Sequence, residues 1–100
     1  MFYLAINKIK HDANPNAVSA TMPLHIAWVK EQIAAGSIVQ AGKWGPIGGM
    51  TIVRGSNEAQ AHALLRRDPI FRSGLFDCEI ERFFPDVPRA RFDDSSVGSS

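Results

Sequence analysis

Cysteine is almost missing from this chain: Cys78 is the only one in 100 residues. It has no partner for an intramolecular disulfide, and there is no second thiol for a redox motif or a zinc cluster, so a reducing compartment is expected. An excess of one charge is also lacking. Eleven Lys and Arg stand against ten Asp and Glu, a formal charge of +1, and the basic residues are scattered rather than gathered into a stripe. That balance gives no electrostatic footprint for nucleic acid. No run approaches the roughly eighteen apolar residues of a membrane span. The first residues, Met1 to Ile9, have no basic start and no small-residue cleavage site, which argues against a signal peptide. The expectation is a cytoplasmic protein with neither membrane nor nucleic acid as partner.

What is present is an ordinary globular composition, 45% hydrophobic and 21% charged, at a length that suits one hydrophobic core. Phe2, Leu4 and Ile6 recur at period two within Phe2 to Lys8, which predicts a strand with those side chains in the core. His11 to Pro15 supplies turn residues. From about Pro23 to Ala35 the spacing becomes helical, with Met22, Ile26, Val29 and Ile33 on one face. Thr21 suits the N-cap, Pro23 the first turn and Gly36 the end, and Ser19 offers an earlier cap for a start near Ala17.

Ser37 to Trp44 and Gly49 to Arg54 read as two strands of a hairpin around Gly-Pro-Ile-Gly-Gly. Ser56 then caps a second helix, from about Asn57 to Arg67, with Ala59, Ala61, Ala63 and Leu64 as a small apolar face. Pro69 ends it. The cleanest alternation comes last: Phe76, Cys78, Ile80 and Arg82 fall on one face, Asp77, Glu79 and Glu81 on the other. From Asp86 to Ser100 the composition turns to that of a tail, so residues 1–85 are expected to form the domain and 86–100 a flexible or partner-packing extension.

Four strands and two helices in the order β-α-β-β-α-β build the ferredoxin-like α+β motif, an antiparallel sheet with both helices on one face. The other face must be covered as well. In a chain this short the same face of a second copy is the simplest cover, which predicts a homodimer through the open sheet face.

Chemistry is concentrated in few residues. His25, in the first turns of the predicted first helix, carries the one side chain that titrates near neutral pH and so suits proton transfer; alternatively it packs beside Trp28. Asp68 sits at the negative end of the predicted second helix, where a carboxylate is disfavoured unless something else holds it. It is either an ordinary Asp-Pro turn or the partner that fixes a histidine tautomer. Cys78 alternates inward and reads as a buried apolar residue. The glycines from Gly42 to Gly49 lack the phosphate-loop spacing and open no helix. His11 and His62 are expected to be solvated.

The strand Phe2 to Lys8, the Pro-x-His of Pro23 to His25, the run Ala34 to Gly42, and Asp68-Pro69-Ile70-Phe71 leading to Ser73-Gly74-Leu75 together resemble the YciI-like (YCII-related) proteins of the dimeric α/β-barrel superfamily. The likeness spans roughly residues 2 to 85. It implies a ferredoxin-like fold, dimerisation through sheets, and an active site built on His25 and Asp68. Where the family often has Arg before the Pro-x-His, this chain has Met22. The resemblance further implies acid-base chemistry, by elimination, isomerisation or hydrolysis, on a small oxygenated ring-like substrate, with Trp28, Trp44 and Phe71 shaping the pocket and neither metal nor organic cofactor required. The alternative is a non-catalytic metabolite-binding or interaction module on the same fold. A haem-handling relative would need His25 open to a flat cavity. Distance separates the first two readings: His25 and Asp68 more than about 6 Å apart, beyond a bridging water, cannot work as a pair.

Overall fold

A computed structural model describes residues 1–86; the expected tail, with Val87, Phe92 and Val97, lies beyond Asp86 and outside the described residues. Seven elements follow one another: β1 (Phe2–Ile9), α1 (Pro15–Ala35), β2 (Ile38–Trp44), β3 (Gly48–Arg54), α2 (Glu58–Leu65), α3 (Pro69–Ser73) and β4 (Phe76–Phe83). The strands make one sheet in the order β2-β3-β1-β4, and every neighbouring pair is antiparallel. This is the ferredoxin-like order, in which each β-α-β crossover spans one intervening strand. The short α3 is an addition that the sequence pattern did not announce as a helix.

Register decides which residues meet the helices. Tyr3, Ala5 and Val53 share the sheet face that packs against Trp28 of α1 and against Ala61 and Leu65 of α2, and Ile38 completes this core. Antiparallel pairing puts Phe76, Cys78 and Ile80 on the same side, opposite Ile9, Asn7 and Ala5. The alternation of β4 was therefore legible. In β1 the expected face is corrected: Phe2, Leu4 and Ile6 lie on the far side of the sheet, and Tyr3, Ala5 and Asn7 face the helices. Period two identifies a strand, but with apolar residues on both faces it does not say which face is the core.

The first helix begins eight residues before the expected Pro23. Asn14 is its N-cap, with Oδ1 accepting from the amides of Asn16 and Ala17, and Pro15 occupies the first turn. Asn followed by Pro supplies both a side-chain acceptor and a preset φ, a stronger start than Thr21 with Pro23. Thr21 instead donates its hydroxyl to the Ala17 carbonyl one turn back. Pro23 sits inside the helix, where it has no N–H for the Ser19 carbonyl; Ser19 and Pro23 are both exposed, so water reaches that group. Gly36, left-handed at φ 84°, closes the helix.

The face α1 buries also differs from the expected one. Trp28 and Gln32 are buried, while Ile26 and Ile33 are exposed. In α2 Ala61 and Leu65 are buried and Ala59 and Ala63 exposed. Its N-cap is Asn57 rather than Ser56: Asn57 Oδ1 accepts from the Gln60 amide, and Gln60 Oε1 accepts in return from the Ser56 amide. The helix stops at Leu65, short of the expected Arg67.

The reassigned start of α1 has a measurable consequence. Asn14→Ala should lower the unfolding free energy by about 1 kcal/mol, the usual worth of such a cap, whereas Thr21→Ala should change it by less than about 0.5 kcal/mol. Urea denaturation of both variants checks this, and the reverse ranking would return the helix start to Thr21.

Candidate functional site

Asp68 ends the turn after α2, and its carboxylate is the N-cap of α3. Oδ1 accepts from the Ile70 amide at 2.9 Å, Pro69 takes the first turn, and Gly74 closes the helix in a left-handed conformation. The unfavourable helix end expected for Asp68 is thus replaced by a favourable one, because the chain starts a new helix where the pattern suggested only a turn. Asp68 is 4% exposed.

A second donor reaches the same oxygen. His25 Nδ1 lies 2.8 Å from Asp68 Oδ1, although 43 residues separate them in sequence. A carboxylate in its ionised form only accepts, and with it Nδ1 is the donor of this contact and Nε2 the ring nitrogen that the contact leaves open. The distance is well inside the 6 Å limit set above.

His25 forms part of the wall of a cavity of about 520 Å³ between α1 and the end of the sheet, a size suited to a small molecule. Ile9, Val29, Ile70 and Phe76 give it apolar walls, Asn7 contributes a carboxamide, and Lys30 and Lys43 stand at its exposed side. Met22 also borders it, so the position where the family often has Arg faces the cavity as an apolar residue. A larger and more open groove of about 770 Å³, near Gly36, Arg54 and Ser56, contains neither His25 nor Asp68. The smaller cavity is therefore the candidate site.

The three aromatic residues expected to shape the pocket are not among its walls. Trp28 belongs to the core, with its Nε1 buried and without an acceptor among the described residues. Trp44 ends β2 and is exposed, because its register with Gly48 turns it to the far side of the sheet. Phe71 is exposed on α3 and borders a void of about 20 Å³ beside Asp68 and Cys78 rather than the 520 Å³ cavity. The pocket role that the resemblance implied is thus taken by none of the three, and Trp28 has the commoner fate of a tryptophan, in the core; pocket lining depends on register and helix rotation, which period alone leaves open. The apolar residues that do line the cavity come from both ends of the chain, and only their pairing, such as Ile9 with Phe76, brings them together.

Cys78 is half-buried on the helix-facing side of β4. Burial pushes its thiol up, the carboxylates of Asp68 and Asp77 add to that, and Lys10 opposes them. A nucleophilic thiol needs the opposite shift, so the surroundings of Cys78 do not favour its thiolate. Among the described residues no group of three His, Cys, Asp or Glu side chains is placed to hold a metal ion, and no helix is long and apolar enough to cross a membrane.

A family model described as the YCII-related domain matches residues 1–84. No curated protein matches the sequence. Among solved structures, 5-chloro-2-hydroxyhydroquinone dehydrochlorinase from Burkholderia phenoliruptrix AC1100, in complex with 2,5-dihydroxybenzoquinone, superposes with a TM-score of 0.61 at 20% identity, covering 84% of this chain and 94% of that one. Muconolactone isomerase superposes with a TM-score of 0.67 at 14% identity, covering 89% and 96%. At these identities the likeness is one of fold.

Asp68 has two tasks that substitution separates. Asp68→Asn keeps an acceptor for the Ile70 amide, whereas Asp68→Ala removes the cap and leaves the His25 Nδ1–H without its acceptor. The alanine variant should lose about 1–3 kcal/mol of stability and the asparagine variant clearly less. Equal losses in thermal or urea unfolding would show that the cap contributes nothing.

Proposed function

The chain belongs to the YCII-related family, and from that premise we propose that it is a cofactor-independent enzyme in which His25 moves a proton on a small, oxygenated, ring-like substrate. Elimination, isomerisation and hydrolysis are the reaction types within this reading. The observation that carries it is the 2.8 Å contact of His25 Nδ1 with a buried carboxylate, made by a histidine that borders an apolar cavity. Asp68 keeps the ring in one tautomer, with Nε2 as the base. Once Nε2 has taken a proton, the same carboxylate stabilises the imidazolium. An apolar enclosure strengthens that attraction relative to water.

The names of the two structural neighbours point the same way. One removes HCl from a chlorinated hydroxyhydroquinone and is bound to a dihydroxybenzoquinone; the other isomerises a lactone. Both chemistries need a proton moved at a small oxygenated ring, which a single oriented imidazole supplies. A cytoplasmic setting belongs to the reading too, supported by the lone cysteine.

2,5-Dihydroxybenzoquinone is a suitable first probe, followed by a turnover screen of hydroxylated quinols and unsaturated lactones. His25→Ala should lower kcat for any substrate found by about 100-fold or more, the usual worth of a general base. Asp68→Asn should lower kcat with KM little changed. Binding that persists with no turnover in wild type would instead favour the metabolite-binding module.

The reading also includes a homodimer. Phe2, Leu4, Ile6, Met50 and Ile52 share the sheet face away from the core cluster, and among the described residues no helix covers it. Phe2 and Ile52 are already buried within the chain, and a second copy packed face to face would cover the half-buried Leu4, Ile6 and Met50 and form the barrel of the superfamily. Light scattering should give twice the chain mass for wild type. Ile6→Glu, which opposes Glu79 across the β1–β4 pair, should give one chain mass with the fold retained; a monomeric wild type would remove the dimer from the proposal.

A further inference from the structure

β1 is a central strand, paired on both sides, and its helix-facing residues run Tyr3, Ala5, Asn7. The third of these is unlike the others. Asparagine is disfavoured in strands, and Asn7 is 6% exposed. Its carboxamide offers two donors and an acceptor with two lone pairs, yet among the described residues its side chain makes no hydrogen bond. Among the described residues the one side-chain polar atom closed to solvent without a partner is Trp28 Nε1, so the Asn7 carboxamide is reached from the solvent side and is open to a water or ligand partner. The carboxamide is not sealed in the core, because Asn7 lines the same 520 Å³ cavity as His25.

The neighbouring strand is fitted to this side chain. Gly49 pairs with Asn7 across β1 and β3; a Cβ at Gly49 would stand 3.3 Å from Asn7 Oδ1 and 3.4 Å from Nδ2. At Gly48 a Cβ would come within 2.7 Å of the Asn7 carbonyl. Gly48 thus lets β3 approach the Asn7 backbone closely, and Gly49 leaves its carboxamide room on the cavity side. A polar group kept in an unfavourable place, with space made for it, points to a contact completed from the cavity.

We propose that Asn7 is the second polar contact of the cavity and recognises a hydroxyl or carbonyl oxygen of the ligand, while His25 faces the position where a proton is exchanged. The inference rests on the reading that this cavity binds a small ring-like molecule, and it deepens that reading by assigning specificity. A ring bearing oxygen is selected over the same ring without it, because the bare ring leaves the carboxamide unpaired. The site therefore reads two features of its ligand from two elements, α1 and β1.

Phenol and toluene are matched probes for this test, titrated into the full chain with amide NMR shifts of cavity residues as the readout. Wild type should bind phenol more tightly than toluene. In Asn7→Leu, a substitution of similar size, that preference should fall by about tenfold, the worth of one hydrogen bond of this kind, with toluene held at least as well as before. Gly49→Ala should weaken phenol in wild type, since Asn7 must shift by a few tenths of an ångström, and should have no such effect once Asn7 is Leu. That coupling would not arise from a merely structural role, and Gly49→Ala alone tests the contact if Asn7→Leu fails to fold. A phenol preference unchanged in both variants overturns the assignment of Asn7 while leaving the cavity reading intact, because both probes still bind. Absence of binding by either probe to wild type overturns the cavity reading, and the assignment with it.

Discussion

One carboxylate oxygen holds the functional end of this molecule together. Asp68 Oδ1 accepts from the Ile70 amide, which starts α3, and from His25 Nδ1, which ties α3 to the middle of α1. The two donors fix the carboxylate in position and direction, and the carboxylate in turn fixes the imidazole. A buried carboxylate with no such donors would carry a large desolvation cost. Here burial and hydrogen bonding are consistent with each other, and the histidine inherits its orientation from a backbone feature, the start of a five-residue helix.

Placing that contact at the end of the sheet explains how a 100-residue chain accommodates a cavity. The core of Tyr3, Ala5, Val53, Trp28, Ala61 and Leu65 fills the space between the sheet and its helices. Beyond it, Gly49 of β3 brings no side chain to the helix-facing side beside Asn7, and the space there is bordered by α1 and the first residue of β4. Large side chains hold the elements together in one half of the layer, and the lack of them opens the other half. The pair and the cavity are thus products of the same packing gradient along β1, from Tyr3 and Ala5 to Asn7.

How much of this the sequence disclosed varies with the kind of information required. The order of the four strands and the two longer helices was legible, because period two and helical spacing alternate and glycine or proline marks most of the breaks; the five-residue α3 was not. The pairing of His25 with Asp68 came from resemblance together with the chemistry of the two side chains; nothing in local spacing links positions 43 residues apart. Boundaries failed where two caps competed, as at Asn14 and Thr21, and where a proline had two readings. Pro23 looked like a helix start and lies within one; Pro69 looked like a stop and begins α3. The pocket aromatics failed for a different reason. Aromatic residues bury well in core, groove or interface alike, so composition gives them no address, whereas Asn7 in a central strand was a discordant residue visible from β propensity alone once the strand was recognised.

Met22 bears on what kind of molecule the cavity can hold. In the resembling family that position is often Arg, and in this chain it is an apolar part of the cavity wall. The charges that remain near the cavity are Lys30 and Lys43, both exposed to solvent. An exposed ammonium is screened by water and salt, and contributes far less to holding an anion than a guanidinium enclosed beside it. A ligand that buried its own negative charge among Ile9, Val29, Ile70 and Phe76 would meet no enclosed cation there to offset the loss of hydration. The interior therefore favours the neutral, oxygen-bearing part of a molecule, with any carboxylate or phenolate turned toward the lysines. On the proposed reading this orientation keeps the uncharged ring beside His25, and the Asp68 carboxylate, 2.8 Å from Nδ1, is the enclosed group that offsets the positive charge the imidazole gains when it takes a proton.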